Sequence, residues 1–345
     1  MTFRLLPEWA EQDAVMLTWP HADTDWSHIL DDVEPVYVTL CQQISQVQKV
    51  LIVAHDESLK AHITHLLAEH GVDLTQIVFV DAPCDDTWAR DHGPLTTAND
   101  QGEVYIKDFV FNGWGDKFDA SQDNAINKHV VDQAASKNAK YKSLNFVLEG
   151  GGVEINENGV LLATSECLLN PNRNPSLSKH EIEQTLQEEL GATSFLWVDH
   201  GYLAGDDTDS HIDTLVRFAP NDTLVYVECD DEEDEHYDAL SKMALQLETF
   251  RTPSGEPYQL IPLPWPKACF DSEGYRLPAT YANYLIINKT VLVPVYGDEF
   301  DGFALGQIQQ AYPDRTVIGI NCLPIIHQFG SLHCITMQLP KGFLK

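Results

Sequence analysis

Glu149-Gly-Gly-Gly-Val-Glu-Ile-Asn-Glu-Asn-Gly-Val-Leu-Leu-Ala-Thr164 reads as one complete unit: an acidic residue, a first strand over 151–155, a turn containing Asn158-Gly159, and a second strand over 160–164. Asn-Gly between apolar runs is a strong hairpin signal, because both residues tolerate positive φ. The same order recurs along the chain. Asp91 introduces a strand over 93–97, a turn at 99–102 and a strand over 103–111. His211 introduces a strand running to Phe218, a turn at 220–222 and a strand over 223–228. Asn283 introduces a strand over 284–287, a turn at Asn288-Lys289 and a strand over 290–295. Cys334 introduces a last strand over 334–339, which has no hairpin partner downstream.

Helical periodicity fills the intervals, at 119–137, 178–190, 234–249 and 299–312, and Ser178 with Glu181 forms a capping-box pattern. Apolar strands at 195–198, 260–263 and 317–320 lead back towards the next unit. Ahead of the first unit stand a lone strand at 14–19, a helix at 28–48 and a buried strand at 49–54. A helix at 56–69 with Gly71 as its stop follows, then another buried strand at 76–80. The unit-opening residues Asp91, Glu149, His211, Asn283 and Cys334 lie 58, 62, 72 and 51 residues apart. An internal repeat of this size, each copy a small sheet with a helix, can close around an axis. Pairing of the unpartnered strands at 14–19 and 334–339 would complete a fifth unit. The competing reading is an ordinary α/β sheet with hairpin insertions; the recurrence of a chemically capable residue at the same end of every unit favours the radial one.

The chain of 345 residues has 53 acidic and 21 basic side chains, a formal net charge of −32. Such an excess repels nucleic acid and anionic membranes and steers cationic ligands inwards, although it also serves solubility. The acidic run 230–235 precedes a helical pattern, where carboxylates suit the positive end of the dipole, and is given no metal role. No apolar run is long enough for a membrane span, and acidic residues follow the start too soon for a signal-peptide core. Seven cysteines without paired spacing, and no zinc-ligand pattern, predict a reduced cytoplasmic protein without a structural metal.

His211-Ile-Asp213 places an imidazole and a carboxylate two residues apart, on one face if the segment is a strand. Glu149 precedes three glycines, which permit close backbone approach, and no helix onset follows of the kind a phosphate loop needs. Several carboxylates gathered at one site raise one another's pKa, and a buried cation relieves them. Guanidinium suits this best, being planar, permanently charged and able to donate to two acids at once. Its central carbon would then face a nucleophile, for which the Cys334 thiolate is the candidate.

The motifs Trp88-Ala-Arg-Asp-His-Gly-Pro94, Phe111-Asn-Gly-Trp-Gly115, Glu149-Gly-Gly-Gly152, Glu166-Cys-Leu-Leu-Asn-Pro-Asn-Arg-Asn-Pro175, Gly205-Asp-Asp-Thr-Asp-Ser-His-Ile-Asp213 and His333-Cys-Ile-Thr336 resemble those of the agmatine deiminase family, in register over nearly the whole chain. That family is related to the bacterial-type peptidyl-arginine deiminases. The resemblance implies an α/β fold, the five-bladed α/β propeller (pentein fold), over residues 1–345 as one domain. It implies Cys334 as nucleophile, His211 as general acid and base, Asp91 and Asp213 gripping the guanidinium, and Glu149 beside His211 and the substrate. Agmatine would be hydrolysed to N-carbamoylputrescine and ammonia through a covalent thiouronium, a step of putrescine biosynthesis, and a homodimer is compatible with it.

Trp88 and Trp114 could line a channel for an aliphatic tail, and Asp207 could meet a distal ammonium or shape its own loop. Asn283 could bind substrate or only cap a strand, and Arg90 could be the structural partner of an acid. The chain departs from the family pattern at Phe329-Gly-Ser-Leu332, where a glycine-rich stretch ending in asparagine is common, and at Ser210, where glycine is usual. Other readings are a deiminase of peptidyl-arginine, a degenerate homologue that only binds polyamines, and a papain-type thiol hydrolase; the last needs no cluster of carboxylates.

Overall fold

The computed structural model describes residues 2–345. Five sheets share one topology: a first strand antiparallel to a second, and the second parallel to a third reached through a helix. Leu95–Ala98, Val104–Val110 and Lys140–Val147 form one, with Arg4–Leu5 added at its edge. Glu154–Ile155, Val160–Thr164 and Ser194–Val198 form the next. Val216–Ala219, Thr223–Val227 and Gln259–Leu263 follow, then Leu285–Ile286, Thr290–Val295 and Thr316–Asn321. A parallel pair cannot be joined by a tight turn, which is why a helix stands before each third strand: Ile126–Gln133, Lys179–Leu190, Tyr237–Leu247 and Asp301–Ala311. The middle strands of two sheets, Val160–Thr164 and Thr223–Val227, are buried throughout, which explains their unbroken apolar sequence.

The fifth sheet joins the two ends of the chain. Thr336–Pro340 runs antiparallel to Gln12–Thr18, with Thr336 opposite Leu17 and Leu339 opposite Ala14; Lys49–Ala54 and Ile77–Asp81 continue the sheet in parallel. The two unpartnered strands of the sequence thus pair with each other.

The helices are shorter than the periodicity implied. Residues 119–122 lie outside any helix, the 3-10 turn Asp123–Ala125 and the helix Ile126–Gln133 follow, and the helix expected over 28–48 is Leu30–Ile44. The capping box at Ser178 and Glu181 is present. Three strand expectations need correction. The first strand after Glu149, expected over 151–155, is only Glu154–Ile155, because Gly150–Gly152 form a 3-10 turn. His211 begins no strand: it caps the 3-10 turn Ile212–Thr214, and the strand is Val216–Ala219. Cys334 likewise lies in a turn, two residues before Thr336–Pro340. Counted from His211 the strand begins at the sixth residue, and counted from Cys334 at the third. All five unit-opening residues therefore sit just ahead of the first strand of a sheet, Asp91 in the one-turn helix Ala89–His92 and the others in turns or irregular backbone. No helix among the described residues is long and apolar enough to cross a membrane.

Candidate active site

Asp91, His211 and Asp213 converge on the backbone of Gly151. A β-carbon on Gly151 would lie 2.6 Å from His211 Nδ1, 2.8 Å from Asp91 Oδ1 and 3.2 Å from Asp213 Oδ2, so only glycine fits. The Gly151 N–H donates to Asp91 Oδ1 at 3.0 Å, and Trp114 Nε1 donates to Asp91 Oδ2 at 2.9 Å. His211 Nδ1 stands 3.5 Å from Asp91 Oδ1, and neither ring nitrogen of His211 has a hydrogen-bond partner within the chain. His211 and Asp213 meet in this cluster because the 3-10 turn folds them together, not because they share a strand face.

Asn283 joins the cysteine to the same cluster. Its Oδ1 accepts from the backbone N–H groups of His333, at 2.9 Å, and Cys334, at 3.2 Å, and lies 3.4 Å from Cys334 Sγ. Its Nδ2 donates to Asp213 Oδ2 at 3.2 Å, and Cys334 Sγ is 4.0 Å from that oxygen. Asn283 is thus a fastener between turns rather than the cap of a strand.

Cys334, His211, Asp91, Asn283, Trp88, Trp114 and Asp207 line a cavity of about 130 Å3. Asp213 and Glu149 are fully buried behind its wall. Glu149 lies beside His211, but both its oxygens accept from Arg173 Nε, at 3.0 and 3.3 Å. Arg173 also pairs with Asp209. Arg173 stands within a motif of the family resemblance, yet nothing in its own sequence neighbourhood pointed to Glu149. Arg90 has the structural role anticipated for it, donating to Glu8 Oε1 at 3.0 Å.

Sequence reasoning missed three further carboxylates in the lining, Asp25, Asp86 and Asp206. Asp86 accepts from Trp26 Nε1 at 2.8 Å and from Trp88 Nε1 at 2.9 Å. Asp206 accepts from the backbone N–H groups of Thr208 and Ser210. The signal was present for Asp206, which adjoins Asp207 in a quoted motif; Asp86 is marked only by its place two residues before Trp88.

Of the two departures from the family pattern, Phe329, Gly330 and Ser331 line the cavity, and Ser210 adjoins the lining residue His211. Ser210 holds φ at 61°, and the preceding Asp209 holds 65°, the left-handed region where glycine is at ease. Phe329 also has positive φ and lines the cavity, while Gly330 lies so close to the Trp88 ring that a β-carbon would come within 2.1 Å of it. Trp114 adopts φ of 57°, and this turn of backbone brings its indole N–H to Asp91.

Electrostatically the two inner aspartates are driven apart. Burial and the neighbouring Asp213 raise the Asp91 carboxyl well above its usual range. Burial pushes Asp213 the same way, but its hydrogen bond with His333 and nearby positive charge outweigh this and leave it lowered. Burial pushes His211 down to about 3, so the empty site holds a neutral imidazole. Burial, followed by Asp213 and Asp91, lifts the Cys334 thiol well above the ordinary thiol value. The site therefore has a protonated sulfur, a neutral base and, in Asp213, a carboxylate held in its ionised form, a setting that favours a cation.

The sequence profile of the Porphyromonas-type peptidyl-arginine deiminase family matches residues 4–340. This chain belongs to that family. Among solved members, a Porphyromonas gingivalis protein provisionally named an arginine deiminase is 46% identical, with a TM-score of 0.93 and full coverage of both chains. An agmatine deiminase of C. jejuni, solved as a cysteine-to-serine variant with substrate bound, is 36% identical, with a TM-score of 0.90 over 100% of this chain and 98% of its own. The agmatine deiminase of Stutzerimonas stutzeri (strain A1501) is 29% identical over 98% of this chain and 95% of the relative. The mixed α/β fold is thus that of the family's solved members.

Proposed function

We propose that this protein is an agmatine deiminase, a hydrolase that converts agmatine to N-carbamoylputrescine and ammonia. The observation that carries the substrate choice is the cavity lining, which has five carboxylates (Asp25, Asp86, Asp91, Asp206 and Asp207) and no lysine or arginine. Agmatine is positively charged at both ends and suits such a lining; free arginine carries an α-carboxylate that these acids would repel. Kinship over the full length with agmatine deiminases supports the same choice.

In the mechanism, Asp91 and Asp213 hold the guanidinium with its carbon against Cys334 Sγ. The cation offsets the carboxylate charge that keeps the thiol protonated, and the thiol proton passes to His211. A bond forms from sulfur to the guanidino carbon, and as a C–N bond breaks, His211 returns the proton to the leaving nitrogen, releasing ammonia. The thiouronium on Cys334 is then attacked by water, one of whose protons His211 takes and passes to the departing sulfur while the other leaves to solvent as the C–S bond breaks, leaving a neutral ureido group. The neutral imidazole of the empty site suits it as the first acceptor. Glu149, neutralised by Arg173, steadies His211 from behind.

We further infer that the five sheets stand around one axis as the blades of a pentein propeller. The shared blade topology and the pairing of the terminal strands support this. In this reading residues 1–345 act as one cytoplasmic domain without a cofactor. The test is ammonia release from agmatine, arginine and arginyl peptides. Agmatine should be preferred by a factor of at least about a hundred in kcat/KM. Preference for an arginyl peptide would instead assign peptidyl-arginine deimination, and tight binding of agmatine without ammonia release would mark a polyamine-binding homologue.

A further inference from the structure

We propose that His333 is a positioning residue for this reaction: its Nδ1–H holds Asp213 Oδ2, leaving Asp213 Oδ1 as the oxygen that grips the guanidinium. The proposal rests on the deiminase reading of the site and adds to it a residue that does not line the cavity.

His333 Nδ1 is 2.6 Å from Asp213 Oδ2, the length of a charge-assisted hydrogen bond, and the ring is fully buried. Asn283 Nδ2 also donates to Oδ2. Asp213 Oδ1 is buried with no partner within the chain. A buried carboxylate oxygen without a donor is costly, and a guanidinium is a group that would satisfy it. With Oδ2 fastened on one side, the carboxylate cannot rotate away from the site.

The ring is in turn held from behind. His333 Nε2 lies 2.8 Å from Glu8 Oε1 and 3.0 Å from Arg217 Nη2. Glu8 Oε2 accepts from Arg217 Nη2 at 2.6 Å and from Gln338 Nε2 at 2.9 Å, and Arg217 also pairs with Glu154. This setting fixes which nitrogen bears the hydrogen. A neutral ring accepts at Nε2 from Arg217, and a charged ring donates at Nε2 to Glu8; in both, Nδ1 carries a hydrogen for Asp213. The charged and titratable groups around Asp213 are His333, His211, Arg217, Asp91, Asp206 and Cys334. Among them His333 forms the short hydrogen bond to its carboxylate, while Cys334 Sγ stands 4.0 Å from the same oxygen.

Two substitutions separate positioning from mere packing. In His333→Asn the amide falls near Nδ1 and can still donate to Asp213; in His333→Gln it falls near Nε2, keeping Glu8 and Arg217 but abandoning Asp213. With agmatine as substrate, His333→Asn should lower kcat/KM by less than about tenfold, and His333→Gln by about a hundredfold or more. In the glutamine variant the acid limb of the kcat/KM profile should move up by about one pH unit, because Asp213 loses the donor that favours its ionised form. Equal impairment of both variants, or a glutamine variant better than the asparagine one, overturns the proposal. Should neither variant fold, 15N-histidine NMR of the wild-type protein still decides: a hydrogen on Nδ1 from about pH 5.5 to 8 supports it, and an Nε2–H tautomer overturns it. Failure of the wild-type protein to release ammonia from agmatine would count against the deiminase reading instead, and the NMR result would stand apart from it.

Discussion

Gly151 donates its N–H to Asp91 Oδ1 at 3.0 Å, and even a methyl group on its α-carbon would come within 2.8 Å of the same oxygen. The triple glycine after Glu149 is thus a constraint of the site: the backbone itself forms part of the wall on which Asp91, His211 and Asp213 meet. Gly151→Ala should lower kcat/KM on agmatine by about a hundredfold or more, since displacements near 1 Å at reacting groups have effects of that size. Steady-state ammonia release, with thermal unfolding to confirm that the variant folds, checks this; a variant of near-normal activity would show that the three side chains need not meet there.

Cys334→Ser should abolish turnover and leave agmatine binding measurable by calorimetry, because the carboxylates that grip the cation remain. His211→Ala should block both halves of the reaction. Rapid formation of a covalent adduct in that variant, seen by mass spectrometry, would remove His211 from the first half.

The split between the inner aspartates has a consequence for binding. Burial and Asp213 raise Asp91 well above the usual carboxyl range, so it gives up its proton less readily than an ordinary aspartate, and a bound guanidinium would favour its ionised form. At any pH where Asp91 is still protonated, binding of agmatine to Cys334→Ser should therefore release a proton, seen as a dependence of calorimetric heat on the ionisation enthalpy of the buffer. The affinity should rise with pH until Asp91 is ionised in the free protein. Heats independent of buffer, or proton uptake, contradict this assignment.

Ser210 occupies left-handed backbone, a conformation that disfavours an L-residue by about 1–2 kcal/mol. Glycine relieves that strain but gives up about 0.5–1 kcal/mol of unfolded-chain entropy. Ser210→Gly should therefore leave stability unchanged or raise it by up to about 1 kcal/mol, with the fold around His211 intact. Denaturant unfolding measures the difference, and a loss greater than about 1 kcal/mol would mean that the serine is tied in by more than its backbone.

The sequence by itself determined the units. Val160–Thr164 and Thr290–Val295 have the bounds their apolar runs predicted, the Ser178 capping box is present, and the five unit-opening residues stand ahead of first strands. These features depend on neighbours a few residues away, which is the range over which periodicity and turn chemistry act. The family motifs added the roles proposed for Cys334 and His211, but not the reason the two line one cavity.

That reason belongs to the tertiary structure. Pairing of Thr336–Pro340 with Gln12–Thr18 joins the ends of the chain, and Glu8 then reaches His333 across 325 positions of sequence. Arg173 finds Glu149 only because separate loops pack together, and the 3-10 turn at Ile212–Thr214 aims His211 and Asp213 in a way that strand alternation could not. The charges carry the same lesson. Asp91 and Asp213 are alike as residues, and only burial and the neighbours each acquires on folding, Asp213 for one and His333 for the other, make the first hold its proton and the second give it up.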